Sequence, residues 1–324
     1  MAIASDTPIP IVGGWKLAEQ LTSDDYVYSW DGYPVPIKSI QHYVGVEMFE
    51  VQFKDGVYVQ VDTHTTFPAF NTFNRQRESY HKGKYKRHYI QKYYTPMQLL
   101  EKGLVDKRGW NRFSVEHAKP LNFPHEDHPV PPFIVGLWAG KRGAKVHFNF
   151  DPEWIDYVQK KIRSHGWHVD RKKNTLSFKQ SINVSFLTRY PTVPTKLPIE
   201  YTFGSVEQRI EFLRGLVATK PGCYNIALDR FLIFSRNIRF LITLQSICES
   251  LGMKTQVFEN RTSLTHQLTF KTDILLHLKQ KPAANKGTKR RMITQVEKTE
   301  PKPVVHIETD VPFVVGQGFL PIWH

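Results

Sequence analysis

Three histidines near the two ends of the chain have side chains that could do acid–base chemistry: His64, His306 and His324, with Asp310 close behind the second. An imidazole titrates near neutral pH, so it can donate a proton to a leaving amine as a general acid. Taken alone, His64 is more typical of a hydrogen-bonded core histidine than of a catalytic acid. These residues therefore gain meaning only from the motifs that surround them.

Two short apolar stretches form a second candidate pair. They are FIVGLWAGKRG at 133–143 and FLRGLVATKPG at 212–222. Each has small residues four positions apart, which places Gly136 with Gly140, and Gly215 with Thr219, on one helical face. Two faces without bulk can approach backbone against backbone. Neither stretch reaches the roughly 20 apolar residues that span a bilayer, so a buried helix pair is predicted.

A lysine ends each of these stretches, Lys141 in the first and Lys220 in the second. An ammonium group has three donors and no lone pair, so it cannot ligate a metal or accept a proton from water. It can still contact a phosphate directly.

The stretch 71–112 interleaves cations with aromatic rings. Such a mixture suits phosphate contact together with stacking or groove insertion. The alternative is an exposed hairpin whose tyrosine rings cover a sheet. We predict DNA contact through these residues: Arg75, Arg77, Lys82, Lys84, Lys86, Arg87 and Lys92.

Charge is the unusual feature of the composition. The 324 residues carry a net charge of +14, which indicates a polyanionic partner, although a solvated basic face is the alternative. Two cysteines are too few for a disulfide framework or a cysteine zinc site, so a reducing cytoplasmic setting is expected. The first residues lack the pattern of a signal peptide, and no transmembrane segment is predicted.

Residues 1–70 predict short strands separated by turns, with one short helix at 15–21 in which Lys16 pairs with Glu19. Two proline-containing stretches, 119–132 and 279–303, are interpreted as linkers. The first linker contains metal-ligand residue types, but without a regular scaffold no metal site is predicted there. These residues are His125, Glu126, Asp127 and His128.

An internal repeat connects 133–200 with 205–275. Both predict a helix, strands, a second helix and further strands, and Lys220 follows Lys141 by 79 positions. Ser205 and Gln208 have capping-box spacing, and Asp151-Pro152 is a good helix start.

The paired stretches resemble the motif of LAGLIDADG homing endonucleases, in which two such helices join two α/β halves. In that family each helix ends in an acid, and the acids hold the Mg²⁺ that cuts DNA. Lys141 and Lys220 occupy those positions, so no metal and no cofactor is expected here. Lysine at both motif positions, together with alanine at position 2, suggests that the chain was deliberately inactivated. Arg142 and Pro221 stand where glycine is common in the family, which favours natural loss of activity instead.

The chain ends resemble an intein, the Hint fold, in six motifs that occur in family order. The motifs are Ala2-Ile-Ala-Ser-Asp-Thr-Pro-Ile, Gly14-Trp15, Asp31-Gly32, Val61-Asp-Thr-His64, His306-Ile-Glu-Thr-Asp310 with Phe313-Val-Val-Gly316, and Gly318-Phe-Leu-Pro-Ile-Trp-His324. The second splicing block usually has threonine where Val61 stands. His306 occupies a place more often filled by Asp or Cys.

The resemblance implies roles for these residues. A Cys or Ser side chain at the position of Ala2 attacks the preceding carbonyl, and His64 donates to the peptide nitrogen. His324 aids cyclisation of a terminal Asn, while His306 or Asp310 supplies further acid–base help. Ala2 has no nucleophile and no Asn follows His324, so an excised or disabled intein is expected, with Met1 added for expression.

The expected fold is therefore multidomain. An all-β, horseshoe-like Hint splicing domain is assembled from both ends, 1–118 (with the basic insertion 71–112) and 285–324. An α/β LAGLIDADG-type domain with two pseudo-symmetric αββαββ repeats occupies 119–284. The expected partners are double-stranded DNA and the host protein of the precursor, for a monomer that contacts no membrane. The alternatives are a DNA-binding protein without enzymatic activity and a structural basic protein.

Overall fold

The computed structural model of the chain divides into two compact units, residues 1–122 with 287–324, and residues 123–286. The structure describes residues 1–81, 84–140, 147–150, 152–178, 199–219, 223–259, 265–280, 290–316 and 318–323. For 73–81, 84–90 and 147–149 it describes the backbone alone. Within these ranges, no helix is long and apolar enough to cross a membrane.

The first unit is built almost entirely of strands. In chain order they are β1 (Ala2–Ala4), β2 (Pro8–Ile11), β3 (Gly14–Leu17), β4 (Tyr26–Tyr28), β5 (Pro34–Pro36), β6 (Ser39–Phe53), β7 (Tyr58–Asp62), β8 (Phe67–His81), β9 (Lys84–Tyr94), β10 (Phe113–Glu116), β18 (Arg290–Glu308), β19 (Phe313–Val315) and β20 (Leu320–Ile322). A seven-stranded sheet has the order β1-β7-β6-β18-β10-β8-β9, and a second sheet has the order β3-β2-β4-β5. Strands from both chain ends therefore share one sheet and one apolar core.

The predicted linker at 279–303 is wrong for its second half, because β18 runs without a break from Arg290 to Glu308. β18 pairs antiparallel with β6 along its length, and the register shifts between Thr299 and Lys302 and again before Val304. Those shifts coincide with the two prolines of the segment. A proline cannot donate to the ladder, and a β-bulge absorbs the missing hydrogen bond without ending the strand.

The predicted helix at 15–21 is also wrong. Trp15 and Lys16 lie in β3, opposite Pro10 and Ile9 of β2, and only a short 3₁₀ turn, Ala18–Gln20, follows. Lys16 binds Asp25 at 2.8 Å rather than the predicted Glu19. Cross-strand pairing after the Val12–Gly13 turn thus overrides local helix propensity.

The basic stretch begins with a long hairpin of β8 and β9. A hairpin is compatible both with DNA contact and with the alternative of tyrosine rings that cover a sheet. The backbone register sets Arg75 opposite Tyr89 and Arg77 opposite Arg87. A short helix, α1 (Pro96–Lys102), follows, and Thr95 caps it by accepting from the Gln98 amide at 3.3 Å.

The second unit is an α/β repeat. Its elements are α2 (Pro132–Gly140), β11 (His147–Asn149), α3 (Pro152–Ser164), β12 (Val169–Lys172), β13 (Thr175–Phe178), α4 (Val206–Ala218), β14 (Tyr224–Asn225), β15 (Arg230–Ser235), α5 (Ile238–Ser250), β16 (Lys254–Phe258) and β17 (His266–Lys271). The sheets have the orders β11-β13-β12 and β14-β15-β17-β16. The second half shows αββαββ in full. The counterpart of β14 in the first half would lie within 141–146, outside the described residues.

The capping box predicted at the start of α4 is present. The Ser205 hydroxyl accepts from the Gln208 amide at 3.3 Å, and the Gln208 side chain accepts from the Ser205 amide at 2.8 Å. The fold class expected from the sequence is thus confirmed, with an all-β unit from both chain ends and an α/β unit between them.

Candidate functional site

The segment Asp62–Thr66, which begins at the last residue of β7, organises the candidate site of the first unit. The Asp62 carboxylate accepts from the Thr65 amide at 2.7 Å and lies 2.5 Å from the Thr65 hydroxyl. Both side chains are buried, Thr65 completely. Asp and Thr three positions apart favour such a side-chain-to-backbone turn, because the short carboxylate reaches an amide that the strand no longer pairs.

The strand β1 brings Ala2 to this segment. The Thr65 hydroxyl lies 3.2 Å from the carbonyl oxygen of Ala2. On its other side β1 pairs with β18, where Ala2 is registered against His306 and the Ile307 amide donates to the Met1 carbonyl at 3.3 Å. The predicted nucleophile position and the predicted His306 are therefore neighbours on adjacent strands.

The other end of the chain reaches the same segment. Trp323 forms an antiparallel bridge with Thr66, with amide-to-carbonyl distances of 2.5 and 2.9 Å. The Thr66 hydroxyl also donates to the Trp323 carbonyl at 3.0 Å. His324 lies outside the described residues, but it directly follows a residue that is held against Thr66. Both chain ends thus meet within five residues of β7's end, 62–66.

The remaining predicted residues of this site are less closely tied to Ala2. His64 lies between Thr63 and Thr65 of the segment, and its side chain is exposed. Asp310 follows β18 and forms an exposed ion pair with Lys38, and the hydrogen bond that Lys38 donates to the Asp310 carboxylate raises the pKa of the Lys38 amine. His306 is registered against Ala2, whereas Asp310 lies beyond the end of β18. Of the two, His306 is therefore the better placed for acid–base chemistry at Ala2.

Sequence reasoning missed Asp62, Thr65 and Thr66. Val61, which stands where threonine is usual, is fully buried and pairs with Ile3 and Phe49, so it offers no polar group. The hydroxyl that contacts the Ala2 carbonyl comes instead from Thr65. The Asp-x-x-Thr spacing was the available signal, but only the strand pairing shows that it faces β1.

Arg291 positions the segment that precedes Trp323. This buried guanidinium pairs with the Asp55 carboxylate at 2.5 Å and donates to the Gly318 carbonyl. A Cβ at Gly318 would lie 2.5 Å from the guanidinium and 2.6 Å from a methyl group of Val57, so any larger residue would require these side chains to shift. The ion pair joins the turn between β6 and β7 to the β19–β20 hairpin, which carries the chain end to Thr66.

In the second unit, α2 and α4 cross at their glycines, as the small-residue spacing predicts. A Cβ added at Gly136 would lie 2.0 Å from the Phe212 carbonyl oxygen, and one at Gly215 would lie 2.0 Å from the Phe133 carbonyl oxygen. These contacts are equivalent under the 79-position repeat. The Thr219 hydroxyl extends the seam by donating to the Leu137 carbonyl at 3.3 Å.

The two lysine positions follow the ends of this helix pair. Lys141 comes after Gly140 and Lys220 after Thr219, and a Cβ at Gly140 would lie 1.9 Å from the Thr219 hydroxyl. Lys141 and Lys220 themselves lie outside the described residues. In the ranges that the structure describes, no group of three or more His, Cys, Asp or Glu side chains could hold a metal ion. With ammonium groups at both motif positions, the donor set does not fit Mg²⁺.

The predicted DNA-contacting residues lie on the β8–β9 hairpin, except Lys82, which falls outside the described part. Lys92, the one with a described side chain, is exposed and registered against Ala69. Backbone pairing continues outward through Arg77 with Arg87 to His81 with Lys84. These cations therefore lie along one paired ribbon, except Lys82.

Two structural features agree with what the sequence motifs predict: strands from both chain ends meet at one site, and the inserted α/β unit is built around a helix pair with equivalent glycine contacts. The fold is therefore multidomain, with an all-β unit assembled from both chain ends and an α/β unit between them.

Comparison with known proteins gives the following similarities. No protein-family model matches the chain. It is 24% identical over 335 residues to a replicative DNA helicase DnaB from Mycobacterium intracellulare, covering 95% of this chain and 55% of that protein. The chain therefore spans about half the length of this relative.

Solved structures of two kinds are also similar. The MchDnaB-1 intein is 22% identical, over 30% of this chain and 60% of that chain, with a TM-score of 0.22. Mesophilic variants of the homing endonuclease I-DmoI are 13% identical, over 44% of this chain and 89% of that chain, with a TM-score of 0.31. I-DmoI in complex with DNA and Mn covers the same shares at 13% identity and a TM-score of 0.30.

Proposed function

We propose that this chain is a self-splicing element of a host protein that is disabled at its first step, and that its inserted domain binds duplex DNA without cutting it. The observation that carries the proposal is the meeting of Ala2, Thr65, His306 and Trp323 at the end of β7. An element that excises itself must bring both of its junctions to one place, and this arrangement does so.

The splicing domain would consist of 1–118 and 285–324, with the hairpin of 71–112 as a DNA-contacting insertion, and the inserted domain would be 119–284. The host protein and duplex DNA are the proposed partners of a monomer. An intracellular location follows from both, because host and DNA lie inside the cell.

The missing step is chemically defined. A thiol at position 2 would attack the Met1 carbonyl, form a C–S bond, break the C–N bond to residue 2 and leave its proton on the new amine. The Ile307 amide already donates to that carbonyl at 3.3 Å and could stabilise the negative charge that develops on it. His64 would protonate the leaving nitrogen. The methyl group of Ala2 cannot begin this sequence.

The inserted domain would bind without cleaving for a related reason. Lys141 and Lys220 can contact phosphate, and a helix C-terminus favours a cation. Neither can ligate a metal, so no metal-dependent step is assigned to this chain.

The second candidate is a sequence-specific duplex-DNA-binding protein with no enzymatic activity. The net charge of +14 and the basic hairpin favour it equally. It differs from the first candidate only in whether the site at Ala2 can be restored.

The test is restoration. Ala2→Cys, with host segments on both sides and Asn placed after His324, should yield a ligated host and a free element on denaturing gels and by mass spectrometry. In this background His64→Ala should slow cleavage at the first junction by about 10²–10⁴, the usual contribution of a general acid.

The matched control is His42→Ala, an exposed histidine of β6, which should leave the rate unchanged. Intact precursor in the restored protein, with correct folding by circular dichroism, would contradict splicing and leave the DNA-binding candidate.

A further inference from the structure

The loop between α1 and β10, residues 103–112, presents an unusual side chain to solvent. Among the side chains that the structure describes, no aromatic ring is more exposed than Trp110, at 72%. An indole exposed to this extent forfeits most of its hydrophobic burial. Its position therefore calls for a partner outside the chain.

The loop is ordered by its own hydrogen bonds. The Asp106 carboxylate accepts from the Arg108 amide at 2.8 Å and from the Trp110 amide at 3.0 Å. The Asp106 amide donates to the Trp110 carbonyl at 2.9 Å, and Gly109 supplies the left-handed conformation (φ +75°). A ring held in this way loses little conformational entropy when it binds.

Two cations precede Trp110 in the loop. Lys107 and Arg108 are both exposed, and within the described part of the chain neither forms an ion pair. Cations beside an exposed ring favour a polyanion over an apolar protein surface, in agreement with the net charge of +14.

The loop lies at the root of the basic hairpin. β10 pairs antiparallel with β8, with Phe113 opposite Asn71, so the residues before Phe113 run beside those after Asn71. The Thr72 amide donates to the Arg112 carbonyl at 2.9 Å, and the Arg112 amide donates to Leu104 at 2.8 Å. The loop and the hairpin thus leave the sheet at the same end.

We propose that loop 105–111 is a duplex-DNA contact, in which Lys107 and Arg108 bind phosphates and Trp110 packs on the sugar–base edge of a groove. The proposal rests on the DNA binding proposed above for the insertion 71–112 and names a second contact within that insertion, separate from the β8–β9 hairpin. Side chains that wedge into a groove and cations that neutralise phosphates are the two usual ways of binding DNA without sequence readout.

Binding of the full chain to a labelled 30-bp duplex, measured by fluorescence anisotropy from low to moderate salt, tests the site. Lys107→Gln with Arg108→Gln should reduce the slope of log K against log salt by about 2, close to 0.9 per lost phosphate contact. Trp110→Ala should weaken binding about 5- to 100-fold with little change of slope, as expected for a lost stacking contact. Trp110→Phe should retain most of the affinity.

Matched controls lie on the same unit. Lys54→Gln with Lys298→Gln removes two exposed cations, and Tyr33→Ala removes a ring that is 63% exposed. If the loop variants bind like these controls while the unchanged chain binds the duplex, the loop proposal is overturned and the DNA-binding function stands. If the unchanged chain binds no duplex, both fail. If the loop binds a protein instead of duplex DNA, the loop proposal is overturned as well.

Discussion

Thr65 and Asp62 form the polar contact on which the candidate splicing site depends. One oxygen of the buried Asp62 carboxylate lies 2.7 Å from the Thr65 amide and 2.5 Å from the Thr65 hydroxyl. The hydroxyl also lies 3.2 Å from the Ala2 carbonyl oxygen. A hydroxyl has one proton, so it donates either to the carboxylate or to the Ala2 carbonyl at any moment. This pair links Ala2 to the end of β7.

Thr65→Val, which preserves shape and removes the hydroxyl, should lower the free energy of unfolding of the first unit by about 1–3 kcal/mol. The reason is that the buried Asp62 carboxylate and the Ala2 carbonyl lose the one hydroxyl donor that they share. Urea denaturation at neutral pH measures it. Thr65→Ser keeps the donor and should cost less, so equal losses in the two variants would show that the hydroxyl is not responsible.

At the scale of elements, the α2–α4 pair is the most constrained feature of the second unit. Gly136 and Gly215 each sit against a backbone carbonyl of the other helix, so neither helix can move aside without displacing a main chain. Arg209 adds a second constraint. It is fully buried, donates to the Gly204 and Ser250 carbonyls at 2.9 Å, and its guanidinium lies 4.5 Å from the Phe123 ring centre.

Gly136→Ala should destabilise the second unit by about 3 kcal/mol, at the upper end for overpacking, because the new methyl group meets a backbone oxygen rather than a flexible side chain. This loss outweighs the roughly 1 kcal/mol that alanine gains over glycine in a helix. Thermal unfolding followed by circular dichroism measures it. The exposed Lys160→Ala in α3 is the control and should change stability by no more than about 0.5 kcal/mol.

The segment before α2 should give the second unit a pH dependence. His128 stacks on Tyr201 at 4.2 Å, and burial lowers the pKa of its imidazole, opposed by the carboxylates of Glu126, Glu200 and Asp127. The unfolded chain then binds a proton more readily than the folded one, so stability falls as pH drops below the ordinary histidine pKa of about 6.5.

Melting temperatures between pH 7.5 and pH 5 test this prediction. His128→Gln should flatten the decline in part, because burial and Lys161 also lower the pKa of His165, which titrates in the same direction. The exposed His125→Gln is the control. A decline that is equally steep in the His128 variant would show that this ring binds protons equally in the folded and the unfolded state.

At the scale of the whole molecule, the charge of +14 and the two lysines at the motif positions make one prediction together. The chain should bind duplex DNA equally well with Mg²⁺ and with EDTA, weaken steeply with salt, and leave supercoiled plasmid uncut with Mg²⁺ or Mn²⁺. Lys141→Asp with Lys220→Asp should weaken the metal-free binding, because two anions replace two cations near phosphate.

The control is Lys54→Asp with Lys298→Asp, which makes the same change of charge at exposed sites of the first unit. An equal loss of binding in this control would assign the effect to net charge alone. Metal-dependent cutting by the unchanged chain would contradict the prediction outright.

The sequence predicted those elements that depend on residues close together in the chain. The Ser205–Gln208 capping box, α3 after Asp151-Pro152 and the strand Thr175–Phe178 follow from residues only a few positions apart. Local signals failed where pairing with distant strands decided the outcome. Trp15 and Lys16 form a strand because they pair with β2. The strand β18 continues through two prolines because β18 pairs with β6 both before and after them.

What the sequence by itself determined is the set of reactive side chains: no nucleophile at Ala2, no metal ligand at Lys141 or Lys220, and small residues that allow two helices to touch. These properties belong to single residues and to one helical turn, so no fold is needed to know them. Only the tertiary structure decided that Ala2, Thr65, His306 and Trp323 meet, because strands from opposite ends of the chain pair through hydrogen bonds that no local pattern specifies.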